Sequence, residues 1–310
     1  SLRLLATGTG QDGTEAPAID IVAVHGLNPL GSSDHAFNTW RKPLHEEGCL
    51  WLRDCFAKAQ PNARIYLYEY NSIPVFGSAK DSFVAEANQL LDEIYGPIEQ
   101  LPWAYLDLML TPLLYKKRDI PIILIGHSLG GILIKQVKAY PPTQHKRIKK
   151  WALVNAWANE KYRGIKEATH ALVFFGTPHS GPARNMQIGL GMACARIARS
   201  LPFVPSSKII EILEGEILFS DLLSESFRHQ LNQYKILSCY EASVMYSYSC
   251  SIDFHATNLV KVVPFSSAVL GLPGNCETQL RINADHSNMC RSDMTIQADV
   301  DNYRKVERNL

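Results

Sequence analysis

The chain has 310 residues, and its 31 Lys and Arg nearly balance 30 Asp and Glu, leaving a net charge of +1. That balance gives no general electrostatic reason to bind nucleic acid or acidic lipid. Apolar residues make up 46% of the sequence, which excludes disorder as a global description. No apolar run reaches the roughly 18 residues of a membrane span.

The first 18 residues read as a flexible leader, polar and rich in Gly and Thr. Gly8-Thr9-Gly10-Gln11-Asp12-Gly13 matches the G-x-G-x-x-G fingerprint of dinucleotide sites, but it precedes the first strand instead of following one. Nucleotide binding is therefore not expected there. Ser1–Ala18 lacks a basic segment followed by an apolar core, the mark of a secretory signal, so the expected compartment is the cytosol. The seven cysteines (Cys49, Cys55, Cys194, Cys239, Cys250, Cys276 and Cys290) are odd in number and contain no C-x-x-C pair. Reduced thiols are expected, with no disulfide framework, no zinc site and no other metal or cofactor.

From Ile19 onward, short apolar runs rich in β-branched and aromatic residues alternate with helical patterns. The strand candidates are Ile19–Val24, Arg64–Tyr68, Pro121–Ile125, Ala171–Phe175, Tyr234–Cys239 and Leu259–Val263. Several are almost continuously apolar, as strands covered on both faces must be. Between Ser82 and Tyr95, apolar residues recur at i, i+3, i+4 and i+7, which predicts a helix with one buried stripe. Strands alternating with helices point to an α/β fold with a mainly parallel sheet. Two stretches depart from the alternation. Gly96–Leu114 is rich in Pro and large apolar groups and reads as a packed loop or short helix, with a partner or membrane patch as the alternative. The insertion Gly181–Gln233 reads as a helical lid or cap, with 182–233 as its span. The basic run His145–Lys150 reads as a solvated loop.

The strongest motif is Gly126-His127-Ser128-Leu129-Gly130-Gly131. It is G-x-S-x-G placed directly after the strand candidate Pro121–Ile125 and before a helical stripe of Ile132, Leu133, Ile134 and Val137. Strand, sharp turn and helix is the context of a nucleophile elbow, which lifts a serine hydroxyl above a strand end at a helix N-terminus. An activated serine needs a base, an orienting acid and an oxyanion hole, in the chain order Ser, acid, His. His286, in Ala284-Asp285-His286-Ser287, is the expected base, with His179 and His255 as rivals. Glu241 directly follows the strand Tyr234–Tyr240 and is the expected acid, with Asp253 and Asp285 as alternatives. The expected oxyanion donors are the amides of Leu129 and of Leu27 in His25-Gly26-Leu27-Asn28, with Asn28 as an alternative to Leu27. His25 reads as a residue that braces its loop, and His127 as a packing residue whose side chain points away from the nucleophile.

These motifs carry a resemblance. Val24-His25-Gly26-Leu27, Thr39-Trp40-Arg41, Trp51-Leu52-Arg53-Asp54, Asn62–Ile65, the Ser128 elbow, Phe174–His179 and Ala284-Asp285-His286 occur in order between Ile19 and Arg291. In this the sequence resembles the serine esterase or lipase domains at the N-termini of fungal NACHT-type STAND proteins, a group related to GPI inositol-deacylase-like lipases. The resemblance implies an α/β-hydrolase fold, a Ser/acid/His triad, and hydrolysis of carboxylic esters, with lipid esters and a membrane surface among the candidates. It also implies a fused or partner nucleotide-binding domain, although no Walker A motif follows in this sequence. An acyltransferase or cyclase using the same triad, or a signalling module of a STAND-type protein, is the alternative. Because the loop at His25 and His286 at the other end of the sequence must meet over one sheet, residues 19–291 are expected to be a single domain, with 292–310 a C-terminal tail or linker.

Overall fold

The computed structural model describes residues 1–7, 17–28, 31–45, 47–72, 79–99, 120–138, 162–179, 231–248 and 257–310. In chain order these form β1 (Leu2–Thr7), β2 (Ile19–Val24), α1 (His35–Asn38), β3 (Arg41–Lys42) and β4 (Cys49–Leu50). A π-helical turn (Leu52–Phe56) runs into α2 (Ala57–Ala59), followed by β5 (Ala63–Tyr68), α3 (Ala79–Glu99), β6 (Ile122–His127) and α4 (Leu129–Lys138). Then come α5 (Arg163–Ala168), β7 (Thr169–Phe175), β8 (Lys235–Glu241), β9 (Met245–Tyr248), β10 (Thr257–Val260), α6 (Phe265–Ala268), β11 (Glu277–Ile282) and α7 (Gln297–Glu307).

Seven strands form one sheet in the order β1-β5-β2-β6-β7-β8-β11. Every neighbouring pair is parallel except β1 with β5. All six residues of β6 are buried, as are five of the six in β2. The strand period of two divides these apolar residues between two cores. Val22, Val24, Leu124, Leu172 and Phe174 face one core, which Ala87, Leu90, Leu91 and Ile94 of α3 and Ile132 and Leu133 of α4 complete. Ile21, Ala23, Ile123, Ile125, Val173 and Phe175 face the other, with Trp40, Trp51, Phe56, and Tyr303 and Val306 of α7. Fully burying a side chain of this size stabilises by roughly 1.5–3 kcal/mol, so each face alone anchors its helices. At the N-terminal ends of β2 and β5, Asp20 and Arg64 sit directly opposite each other and form a bidentate pair at 2.7 and 2.9 Å.

Three expectations need correction. Residues 2–7 of the expected leader are the edge strand β1, registered against β5 from Leu2↔Tyr68 to Thr7↔Arg64. Residues 297–307 of the expected tail are helix α7, whose Tyr303 and Val306 are buried. The expected strand Leu259–Val263 does not join the sheet. Its first part is β10, which pairs antiparallel with β9 in a separate ribbon, and the last strand of the sheet is instead β11. The Gly8–Gly13 motif, residues 100–119 of the Pro-rich stretch, His145–Lys150 and 180–230 of the expected lid lie outside the described residues. Among the described residues, no helix is long and apolar enough to cross a membrane.

From β2 the chain moves to β5 on one side and then crosses to β6 on the other. The border between β2 and β6 is therefore where strand order reverses, and open α/β sheets form their crevice at the carboxyl ends of such strands. A mainly parallel sheet in this order, with helices on both faces and a serine at the sharp turn after β6, is the α/β-hydrolase fold.

Candidate active site

Ser128 stands between β6 and α4 with φ of 51°, and among the described residues it is the one non-glycine in the left-handed region. Such a conformation costs on the order of 1–3 kcal/mol and persists only where its surroundings enforce it. Here they do. The Ser128 amide donates to the Phe175 carbonyl at 2.8 Å, and the Ser128 carbonyl accepts from the Gly131 amide at 3.1 Å. Gly130 makes the close approach possible, because a Cβ there would lie 2.3 Å from the His25 carbonyl and 2.4 Å from that of Val24. The head of α4 is thus pressed against the loop that follows β2.

That loop carries the expected oxyanion donor Leu27 and its alternative Asn28. The Asn28 amide donates to Ser72 Oγ at 2.7 Å, so this alternative is already engaged. Among the described residues, the Leu27 amide has no partner. Leu129 opens α4, where first-turn N–H groups have no intrahelical acceptor. His25 braces the loop, as expected. Its Nδ1–H donates to the Gly26 carbonyl at 2.7 Å, its Nε2 accepts the Tyr70 amide at 3.3 Å, and its ring stacks on Tyr70. Burial lowers its pKa to about 4, which keeps it neutral.

Glu241 ends β8, and its Oε1 accepts the Val263 amide at 2.6 Å. It is 1% exposed, and among the described residues Oε2 has no hydrogen-bond partner. Burial raises its pKa to about 7, against the opposing pull of the Val263 and His286 amides. His286 lies in the turn after β11 and is also 1% exposed. Its ring packs on Gly176, which takes φ of 54° and where a Cβ would come 2.9 Å from His286 Nδ1. Burial lowers the His286 pKa to about 3, so the imidazole is neutral, as a general base must be. Among the described residues, neither of its nitrogens makes a hydrogen bond. The structure thus seats Glu241 beside the His286 backbone, but among the described residues no hydrogen-bond chain runs from carboxylate to imidazole to serine. Hydrogen bonds of this kind are often long in unliganded enzymes and tighten when substrate binds.

The rivals are placed differently. Asp285 accepts the Ser287 and Asn288 amides at 3.0 and 2.9 Å and both contacts of the Asn288 side chain, so it closes the turn that presents His286. His179 donates its amide to the Ser267 carbonyl at 2.5 Å and sets its ring edge-on to Phe174. Lys135 of α4, which was not expected to be buried, is fully buried next to it, with Nζ 3.5 Å from the Pro178 carbonyl and its pKa lowered to about 7 by burial. Asp253 and His255 lie outside the described residues. His127 requires a correction. It does more than pack, because its Nε2–H donates to the His286 carbonyl at 3.0 Å. Nothing in the sequence separation of 159 residues signalled that bond.

No family model matches the chain. Protein SERAC1 of Danio rerio is 25% identical over 292 residues, covering 88% of this chain and 36% of that protein. Protein SERAC1 of Homo sapiens is 24% identical over 291 residues, with the same coverage. The chain therefore spans about a third of the length of these curated relatives. Among solved structures, a thermophilic esterase from the Planctomycetes species Thermogutta terrifontis covers 99% of this chain over 85% of its own, at 11% identity and a TM-score of 0.47. The strand order and the turn at Ser128, not this likeness, define the fold.

Proposed function

We propose that the chain is a serine hydrolase that cleaves carboxylic esters through an acyl-serine intermediate. The observation that carries the reading is Ser128, held at a positive φ at the head of α4, at the strand-order reversal of the sheet. A serine serving only as a turn residue gains nothing from that strain, whereas a nucleophile gains an orientation toward the helix N-terminus and the amides around it.

In this reading, His286 takes the Ser128 proton as the hydroxyl oxygen attacks the ester carbonyl. The Leu27 and Leu129 amides hold the oxyanion, and the positive end of α4 adds to its stabilisation. His286 then protonates the leaving alcohol, and Glu241 offsets the charge of the imidazolium. A water deprotonated by His286 attacks the acyl-serine, and the acid leaves with Ser128 restored. The near-neutral chain fits an uncharged or apolar acyl group.

The test is turnover of short p-nitrophenyl esters, together with labelling by a fluorophosphonate. Wild-type protein is expected to hydrolyse the ester and to be labelled on Ser128. Ser128→Ala is expected to lose roughly 10⁶ in kcat while keeping its thermal unfolding transition. Ester turnover by Ser128→Ala at the wild-type rate overturns the reading.

A further inference from the structure

We propose that His127 is a positioning residue for the base: through its hydrogen bond to the His286 carbonyl it sets where the His286 imidazole stands relative to Ser128. The proposal rests on the serine-hydrolase reading above and adds to it a residue that touches neither substrate nor reacting atoms.

The geometry begins with topology. His127 is the last residue of β6, and His286 follows β11. Two strands, β7 and β8, separate β6 from β11 in the sheet, so no strand pairing fixes the distance between the nucleophile's turn and the base's turn. The His286 turn is held at its other residues by separate contacts. The Asp285 carboxylate closes it from within, Trp51 Nε1–H donates to the Cys290 carbonyl at 2.7 Å, and Arg291 Nε–H donates to the Asn38 carbonyl at 2.7 Å. None of these reaches residue 286 itself, whose amide faces Glu241 and whose ring packs on Gly176. The bond from His127 does, at 3.0 Å, and the two rings lie 5.0 Å apart. It is a direct brace from the residue before the nucleophile to the backbone of the base.

The other side of the ring is also fixed. A carbonyl only accepts, so Nε2 carries the proton and Nδ1 presents a lone pair. Nδ1 is buried, has no partner among the described residues, and faces Gly26, where a Cβ would come within 2.9 Å of it. The imidazole is therefore wedged between the loop that bears Leu27 and the turn that bears His286. Burial also holds His127 well below the usual histidine range, so the donor on Nε2 persists across working pH. A hydrophobic ring of similar size would fill the same space but leave the His286 carbonyl unsatisfied. The turn, still held at Asp285, Cys290 and Arg291, would lose its fixed point at the His286 carbonyl, and displacement of a catalytic group by about 1 Å costs on the order of 10² in rate.

The amide nitrogen of glutamine reaches the position of Nε2, while that of asparagine reaches only that of Nδ1. The experiment uses this difference. Wild type, His127→Phe, His127→Gln and His127→Asn are compared for p-nitrophenyl butyrate kinetics from pH 6 to 9 and for the rate of fluorophosphonate labelling, with thermal unfolding recorded for each. His127→Phe and His127→Asn are expected to lose about 10² in kcat with KM within about threefold of wild type. His127→Gln is expected to recover to within about fivefold of wild type. Labelling rates should follow kcat in the same order. If His127→Phe fails to fold, the contrast between Gln and Asn still decides. Equal rates in Gln and Asn, or a wild-type kcat in Phe, overturn the positioning role while labelled wild-type Ser128 leaves the hydrolase reading standing. An unlabelled and inactive wild type overturns both.

Discussion

Two buried glutamates sit at opposite ends of the same strand pair. Glu277 begins β11 opposite Ile236, and Glu241 ends β8 opposite Ile282. Their exposure is nearly equal, at 3% and 1%. Their surroundings are not. Glu277 accepts the Ser238 hydroxyl at 2.6 Å and the Leu270 amide at 2.8 Å on Oε1. On Oε2 it accepts the Leu272 amide at 2.9 Å and the Gln279 side chain at 3.2 Å. Glu241 has the Val263 amide on one oxygen and, among the described residues, no hydrogen bond on the other, although the His286 amide lies near. The difference teaches that burial alone does not separate a structural carboxylate from a functional one. A carboxylate whose acceptor sites are filled has its charge stabilised at all times and holds the chain together. One with an oxygen left bare is in a state that a proton or a transient positive partner relieves. The same contrast divides the two edges of the sheet. Asp20 and Arg64 are mutually satisfied at the N-terminal edge, whereas unpartnered atoms of His127, His179, Glu241 and His286 gather at the C-terminal ends of the strands.

Three perturbations break or sharpen this comparison. The largest effect is expected from Glu241→Gln, which should lower kcat for p-nitrophenyl esters by about 10⁴ while leaving the fold intact, as loss of the orienting carboxylate does in such triads. Full turnover by that variant removes Glu241 from the mechanism and erases the functional half of the contrast.

The second is a dependence on pH. Burial raises the Glu241 pKa in the folded chain from an ordinary 4.5 to about 7. A raised folded-state pKa means that the folded chain holds the proton more tightly. Its contribution to stability is complete below pH 4.5 and is lost as pH rises through about 7. The loss is on the order of 3 kcal/mol. Urea unfolding of wild type and Glu241→Gln at pH 4.5 and pH 8 should show wild type losing about that much more than the variant. Parallel behaviour of the two chains contradicts the raised pKa.

The smallest effect is expected from Glu277→Gln. It turns an amide N–H₂ toward backbone donors and should cost about 2 kcal/mol, a drop of a few degrees in Tm. Its kcat should stay within about twofold of wild type. A large fall in kcat with unchanged Tm would move Glu277 into the site and dissolve the comparison.

The central strands and the elbow were legible in the sequence because both are local. β2, β6 and β7 are buried on both faces, so their residues form apolar runs that need no knowledge of neighbours. Ser128 and its glycines announce a sharp turn through conformational demands that only those residue types meet. The edge strands were not legible. β1 has no buried residue and β11 is buried only at its two ends, and Thr278, Gln279 and Arg281 of β11 carry no apolar signal. Leu259–Val263 has such a signal, yet it is spent on a separate ribbon and on buried Val262 and Val263 packing beside α3 and α4.

The site divides in the same way. Sequence order by itself determined which residues are candidates for nucleophile, acid and base, since Ser128, Glu241 and His286 each follow a strand in the required succession. Only the tertiary structure decided how the alternatives are used: Asp285 closes a turn, the Asn28 amide is taken by Ser72, and His127 reaches a carbonyl 159 residues away. The physical reason is that a candidate role is a property of residue type and local backbone. Whether a polar atom is satisfied or left open is set by which distant segments the sheet brings against it.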